Sequence, residues 1–186
     1  MNLKAPTISI RDNRDNQVGV LYDYFNDSIE LFLEGKVSIL TLSVLDENNY
    51  RELLVNGNSL SFTYKSEDYH MTIVKSDEDE DVITITAWSL VLELNNETKA
   101  PFSGTSLTFA QYLNAFDGEK ILTLNINEVS DKKISHTFDS QQTMLERLFS
   151  LAKLFNAEIE FKTILADNGS LERLEINVYR ANDSKN

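Results

Sequence analysis

Near Trp88 the period of the apolar residues changes, and that change limits what this chain can fold into. From residue 38 to residue 87 they alternate as in antiparallel strands. Leu40, Leu42 and Val44 share one face, as do Leu60, Phe62 and Tyr64, then Tyr69, Met71 and Ile73, and finally Ile83, Ile85 and Ala87. Past Trp88 the alternation stops, and Leu90, Val91 and Leu94 fall at helical spacing. The pattern predicts a strand meander that ends in a short apolar helix. Trp88, the sole tryptophan, sits at the junction and reads as a core residue pinning that helix to the sheet.

Turn chemistry fills in the order of elements. Strands are expected over 7–11 and 17–22, joined as a hairpin by the polar run 12–16, and a third over 38–45. Asn56-Gly57-Asn58 is a tight-turn signal leading into a strand at 59–64, because Gly57 tolerates positive φ. Turns at 66–68 and 76–81 then bracket a strand at 69–75 and deliver the chain into 82–87. After Glu97 the style shifts. Thr105 or Ser106 is placed to cap a helix burying Phe109, Tyr112, Leu113 and Phe116, with Gly118 as its left-handed stop. Strands follow at 121–129, with Leu122, Leu124 and Ile126 inward, and at 133–138. Asp139 or Ser140 then caps the longest helix, 141–155, which buries Met144, Leu145, Leu148, Leu151, Ala152 and Phe155. A hairpin over 157–163 and 171–179, turned by Asp167-Asn168-Gly169, closes the chain. The expected fold class is α+β: an antiparallel β-domain over 1–95 and a small α+β domain over 96–186, helices packed on an antiparallel sheet.

Composition removes several kinds of chemistry. No cysteine occurs among the 186 residues, which excludes disulfides, thiol catalysis and Cys-ligated zinc. Six glycines and two prolines leave no room for a flexible linker. The start of the chain lacks an apolar export segment, and no run approaches the ~20 apolar residues of a membrane helix, so a soluble, unexported chain without membrane insertion is expected. A net charge of −13 would repel a polyphosphate, so no direct nucleic-acid binding is expected.

No catalytic constellation stands out. His70 and His136 each occupy an alternation position within a strand and read as surface or half-buried strand residues rather than a base or a ligand. No H-E-x-x-H, G-x-S-x-G or phosphate-cradling glycine loop occurs. The acidic run 77–81 lacks the glycine and closing glutamate of a calcium loop and reads as a solvated hairpin tip. No residue is assigned to catalysis, to a cofactor or to a metal, and no enzyme activity is expected within these residues.

The order and spacing of several segments carry a resemblance. They are Ile39-Leu-Thr-Leu-Ser-Val44, Asn56-Gly-Asn-Ser-Leu-Ser-Phe62, Tyr69-His-Met-Thr-Ile73 and Ile83-Thr-Ile-Thr-Ala-Trp88, then Ser106-Leu-Thr-Phe-Ala-Gln-Tyr-Leu113, Thr143-Met-Leu-Glu-Arg-Leu-Phe-Ser-Leu-Ala152 and Ala157-Glu-Ile-Glu-Phe161. Together they resemble the N-terminal hub region of siphophage tail-tip proteins, the tail-associated lysin or prophage endopeptidase tail group, related to the baseplate hub of contractile-tailed phages. The resemblance implies that the β-domain is tube-like, a barrel. It implies a virion structural protein at the tail tip, assembled in the host cytoplasm, that docks on the distal tail protein and helps close the tail channel. The tape measure protein and other tail components would be further partners, and the full-length protein a homotrimer. Any lytic activity would belong to a segment beyond this chain, which is short for the second tube domain of that family. Two other readings stay open at this point: a tail-associated peptidase or lysin fragment, and an acidic binding module that mimics DNA or takes carbohydrate.

Overall fold

The computed structural model describes residues 6–32, 37–47, 49–118 and 120–181. Among these, 6–32, 37–90 and Thr163–Glu172 form one compact unit, and 91–162 with 173–181 a second. These units differ from a single cut at 95/96 in two respects: residues 91–95 go with the second unit, and residues 163–172 at the tip of the last hairpin go with the first.

The first unit is a sheet curled into a half-barrel. Its strands are β1 (Ile8–Arg11), β2 (Gln17–Leu21), β3 (Phe25–Phe32), β4 (Val37–Leu45), β5 (Ser59–Tyr64), β6 (Glu67–Asp79) and β7 (Val82–Ser89), in the spatial order 2-1-5-6-7-4-3. Each of these ladders is antiparallel. Alternation places Ile8, Ile10, Leu40, Leu42, Val44, Leu60, Phe62, Met71, Ile73, Ile83, Ile85 and Ala87 in one buried cluster on the inner face. The four-residue helix α1 (Tyr50–Leu53) adds Tyr50, whose hydroxyl donates to the Val20 carbonyl at 3.1 Å.

Several details differ from the sequence reading. Strand β3 was not expected at all. The turn between β5 and β6 is Lys65-Ser66, both at positive φ (50° and 66°), and Glu67 and Asp68 already belong to β6. That strand runs on through Asp79, with a bulge between Ile73 and Lys75, so the turn into β7 is only Glu80-Asp81. Trp88 lies within β7 and is 37% exposed, not in the core. Its neighbours explain this: with Ile83, Ile85 and Ala87 inward, period two turns residue 88 outward. The helix α2 (Leu90–Glu93) begins only after the strand has ended.

In the second unit, β8 (Thr98–Lys99) and β9 (Phe102–Leu107) precede α3 (Phe109–Phe116). After α3 come β10 (Leu122–Asn127), β11 (Ile134–Phe138), β12 (Gln142–Thr143), α4 (Met144–Phe155), β13 (Ala157–Leu165) and β14 (Leu171–Arg180). Both helices start later than the sequence reading placed them, because β9 and β12 take the preceding residues. Thr108 caps α3 in a capping box with Gln111, and Thr143 caps α4 in one with Glu146. Gly118 does not adopt the left-handed conformation. Instead α3 stops where the Asp117 carboxylate accepts hydrogen bonds from the Ile121 and Leu122 amides, at 2.9 and 2.8 Å. The α+β class holds, with one ladder of opposite sense: β10 runs parallel to β14, so this sheet is mixed rather than antiparallel. Alternation encodes faces, not strand direction, and so did not carry that information. Leu122 is buried as expected and Leu124 is half-buried, whereas Ile126, within the register shift of β10, is 37% exposed.

The apolar face expected for the long helix is the buried one, and Leu148 is completely buried. Leu148→Ala is expected to cost about 2–5 kcal/mol, seen as a lower denaturation midpoint at unchanged slope. A variant unfolding with the parent would mean that this face is not load-carrying in the core.

Candidate interaction surface

The first unit ends on an open edge. Among the described residues β3 pairs with β4 alone, leaving its outer backbone groups without a sheet partner. Seven of its eight positions are exposed, and Ile29 alone is half-buried. It carries Phe25, Leu31 and Phe32 into solvent, with Leu31 60% exposed. Its register with β4 shifts between Phe25 and Ser28, where Asn26 adopts φ 51°, a conformation asparagine tolerates. Soluble proteins usually blunt such an edge, because free strand groups beside apolar side chains recruit another strand. Beside the edge, burial pushes the Tyr24 phenol above its ordinary pKa, with Asp27 and Tyr64 adding to the rise, and its hydroxyl donates to the Pro6 carbonyl at 2.8 Å.

The outer face of the neighbouring strands is hydroxyl-rich. Thr41 stands opposite Thr86 and Ser43 opposite Thr84, with Ser43 Oγ and Thr84 Oγ1 2.9 Å apart. Ile39 lies opposite Trp88 at the end of this face. The acidic hairpin continues from it. Asp77, Glu78 and Asp79 sit in strand β6 opposite Thr84, Ile83 and Val82, rather than in the turn. Glu78 does not stand free: Arg51 Nε lies 3.1 Å from its carboxylate and 3.0 Å from that of Asp46. Lys75 pairs with Asp77. These pairs are surface pairs and contribute little to stability, but they leave the tip only partly compensated.

The two histidines occupy strand positions in β6 and β11. His136 is half-buried, its ring edge-on to Phe138 at 4.7 Å. His70 is buried, with Nδ1 4.0 Å from Asp15 Oδ1, outside hydrogen-bonding distance. Ser61 faces His70 across the β5–β6 ladder; its Oγ accepts from Arg11 Nε at 2.9 Å, and the residue is 2% exposed. Among the described residues no group of carboxylates and histidines is arranged to hold a metal ion.

The fold has known counterparts. Prophage tail protein gp18 from Listeria monocytogenes superposes with a TM-score of 0.65 at 16% identity, over 93% of this chain and 50% of that one. The chain has a phage tail-protein fold. The 43 kDa tail protein of prophage MuSo2 from Shewanella oneidensis gives a TM-score of 0.60 at 16% identity, over 92% of this chain and 52% of that one. A chain of the p2 virion baseplate in its activated conformation gives 0.52 at 11% identity, over 95% and 56%. The tail-protein fold seen here thus spans about half the length of the tail proteins it matches. No family model and no curated protein matches the sequence.

Proposed function

We propose that this chain is a structural component of a phage tail tip, the hub-forming front part of a longer protein, acting through protein contacts rather than catalysis. The observation that carries the reading is the superposition of nearly the whole chain on half of a prophage tail protein. In this reading the first unit is the tube-like domain and the second the inserted α+β domain. The free edge of β3 supplies the contact with the distal tail protein or a neighbouring subunit, because a strand edge with exposed apolar residues gains both hydrogen bonds and burial when another strand is added. Location at the virion tail tip, assembly in the host cytoplasm, contact with the tape measure protein and a trimer in the full-length protein all belong to the same proposal. The acidic surface fits a component that DNA passes without sticking, since like charges repel.

The test is co-purification of the chain with a distal tail protein from the same genome. Complex formation is expected, and the double variant Leu31→Lys, Phe32→Lys should abolish it. Both side chains are exposed, so the variant's own melting should stay close to the parent's. Binding undiminished by that variant would remove β3 from the contact. Turnover of cell-wall peptide or glycan by the pure chain, lost on His70→Ala or His136→Ala, would overturn the non-enzymatic reading.

A further inference from the structure

The tip of the β13–β14 hairpin is held by an unusual kind of contact. None of residues 163–172 belongs to the buried apolar core, and every one is half-buried or exposed. Its attachments are polar. The Arg11 guanidinium donates through Nη2 to the Asn168 carbonyl. The Leu171 amide donates to Asp15 Oδ2 at 2.8 Å, and the Leu165 amide to Asp68 Oδ2 at 3.1 Å. Thr163 pairs with Asp68 as the one ladder position between β13 and β6.

The receiving groups are set in advance. Arg11 is 2% exposed, and its Nε and Nη1 are already committed to Ser61 Oγ at 2.9 Å and to the Asp15 carbonyl at 2.7 Å. Asp15 sits at φ 63° in a turn that Asp12 holds by accepting from the Arg14 and Asn16 amides, both at 2.9 Å. The Asn16 side-chain amide also donates to Asp12, and these bonds hold the Asp12 carboxyl below its ordinary pKa. Gly169, at φ 75°, completes the fit: a Cβ there would stand 3.0 Å from Arg11 Nη2 and 3.7 Å from Ser61 Oγ. The tip thus lies over Arg11 and Ser61, both buried on the outer sheet face.

We propose that residues 163–172 form a strap, caught by Arg11, Asp15 and Asp68, which lifts from the first unit while the sheet beneath stays folded. A segment opens alone more readily when it lies outside the buried apolar core and is held by polar contacts, and the attachments named above are of that kind. Lifting it uncovers Arg11 and Ser61, a polar surface. The inference concerns the folded chain itself and stands whether or not the tail-tip reading does.

Hydrogen exchange of the whole chain tests it. The amides of Leu165 and Leu171 should exchange at least tenfold faster than those of Leu42 and Ile85 in the core ladder. Asp15→Asn, which keeps the turn because asparagine tolerates positive φ, should speed exchange across 163–172 a further tenfold and leave Leu42 and Ile85 unchanged. Equal protection of strap and core in the parent, or an equal change of both in the variant, would overturn the proposal. A second readout uses the absence of native cysteine. In Ser61→Cys, the only thiol lies under the strap, and adding Asp15→Asn should raise its labelling rate by a thiol reagent about tenfold without lowering the melting temperature to match. A labelling rate that the added substitution does not alter would count against the strap.

Discussion

Arg147→Ala is expected to be among the most damaging single changes, at a cost of about 3–5 kcal/mol, and confined to the second unit. Arg147 projects from α4 into the interior and is 1% exposed. Its guanidinium is met by carbonyls and aromatic rings. Nη1 donates to the Ala100 carbonyl at 2.8 Å, and Nη2 to those of Lys99 and Ser140 at 3.2 and 3.3 Å. The guanidinium carbon lies 5.0 Å from the centres of both the Phe116 and Phe138 rings. Carbonyl dipoles and aromatic faces thus replace its hydration shell. Burial lowers its pKa from the ordinary value, the sign expected when desolvation penalises a cation. Truncation to alanine leaves a cavity and strips three carbonyls of their donor. Arg147→Lys separates the two contributions. It keeps the charge but cannot reach three acceptors with a planar fork, so a smaller loss of about 1–3 kcal/mol is expected. Chemical denaturation of the purified variants checks both, and parent-like stability of Arg147→Ala would refute the account.

This arginine also shows what the sequence made legible and what it did not. Helical spacing from Met144 and Leu151 puts residue 147 on the buried face, but its charge argued for solvent, and only the three carbonyls reconcile the two. The strands of the first unit were readable because their inner and outer faces differ. Strand β3 was not, since nearly all of its residues are exposed and no period distinguishes its two sides. Trp88 was misplaced for a different reason: the strand continues through Ser89, and alternation extended by two residues turns it outward. The helix starts were missed although Thr108-x-x-Gln111 and Thr143-x-x-Glu146 carry the capping-box spacing. Earlier Ser, Thr and Asp residues offered competing caps, and strand pairing settled the choice: Gln142 with Lys99, and Thr143 with Thr98. Of the candidate surface, the acidic run and the histidines were visible in sequence. The open edge and the polar catch were not, because both depend on which strands lie side by side.

Phe155→Ala should cost a comparable amount, about 3–5 kcal/mol. The ring is completely buried at the end of α4, edge-on to Phe109 at 5.5 Å and to Tyr112 at 6.2 Å. Collapse into the vacated space is restricted on each side. Tyr112 is fixed by its hydroxyl, which donates to the Ile134 carbonyl at 3.1 Å and accepts from the His136 amide at 3.1 Å. It is also wedged against Gly104, where any Cβ would stand 2.6 Å from the ring. The backbone at residue 155 is held as well. Lys132 Nζ donates to its carbonyl at 2.7 Å, and Asn156 ends the helix at φ 49° with its amide returned to Ala152 and Lys153. A cavity whose walls cannot close costs more than the transfer of the lost atoms alone. The control is one residue away. Leu154 is 37% exposed on the same helical turn, so Leu154→Ala should change stability by less than about 1 kcal/mol. Denaturation followed by amide exchange should show the Phe155→Ala loss at residues of α3 and α4 while Leu42 and Ile85 keep their protection. Equal losses for the two alanine variants would mean that burial at the end of α4 is not what holds the second unit together.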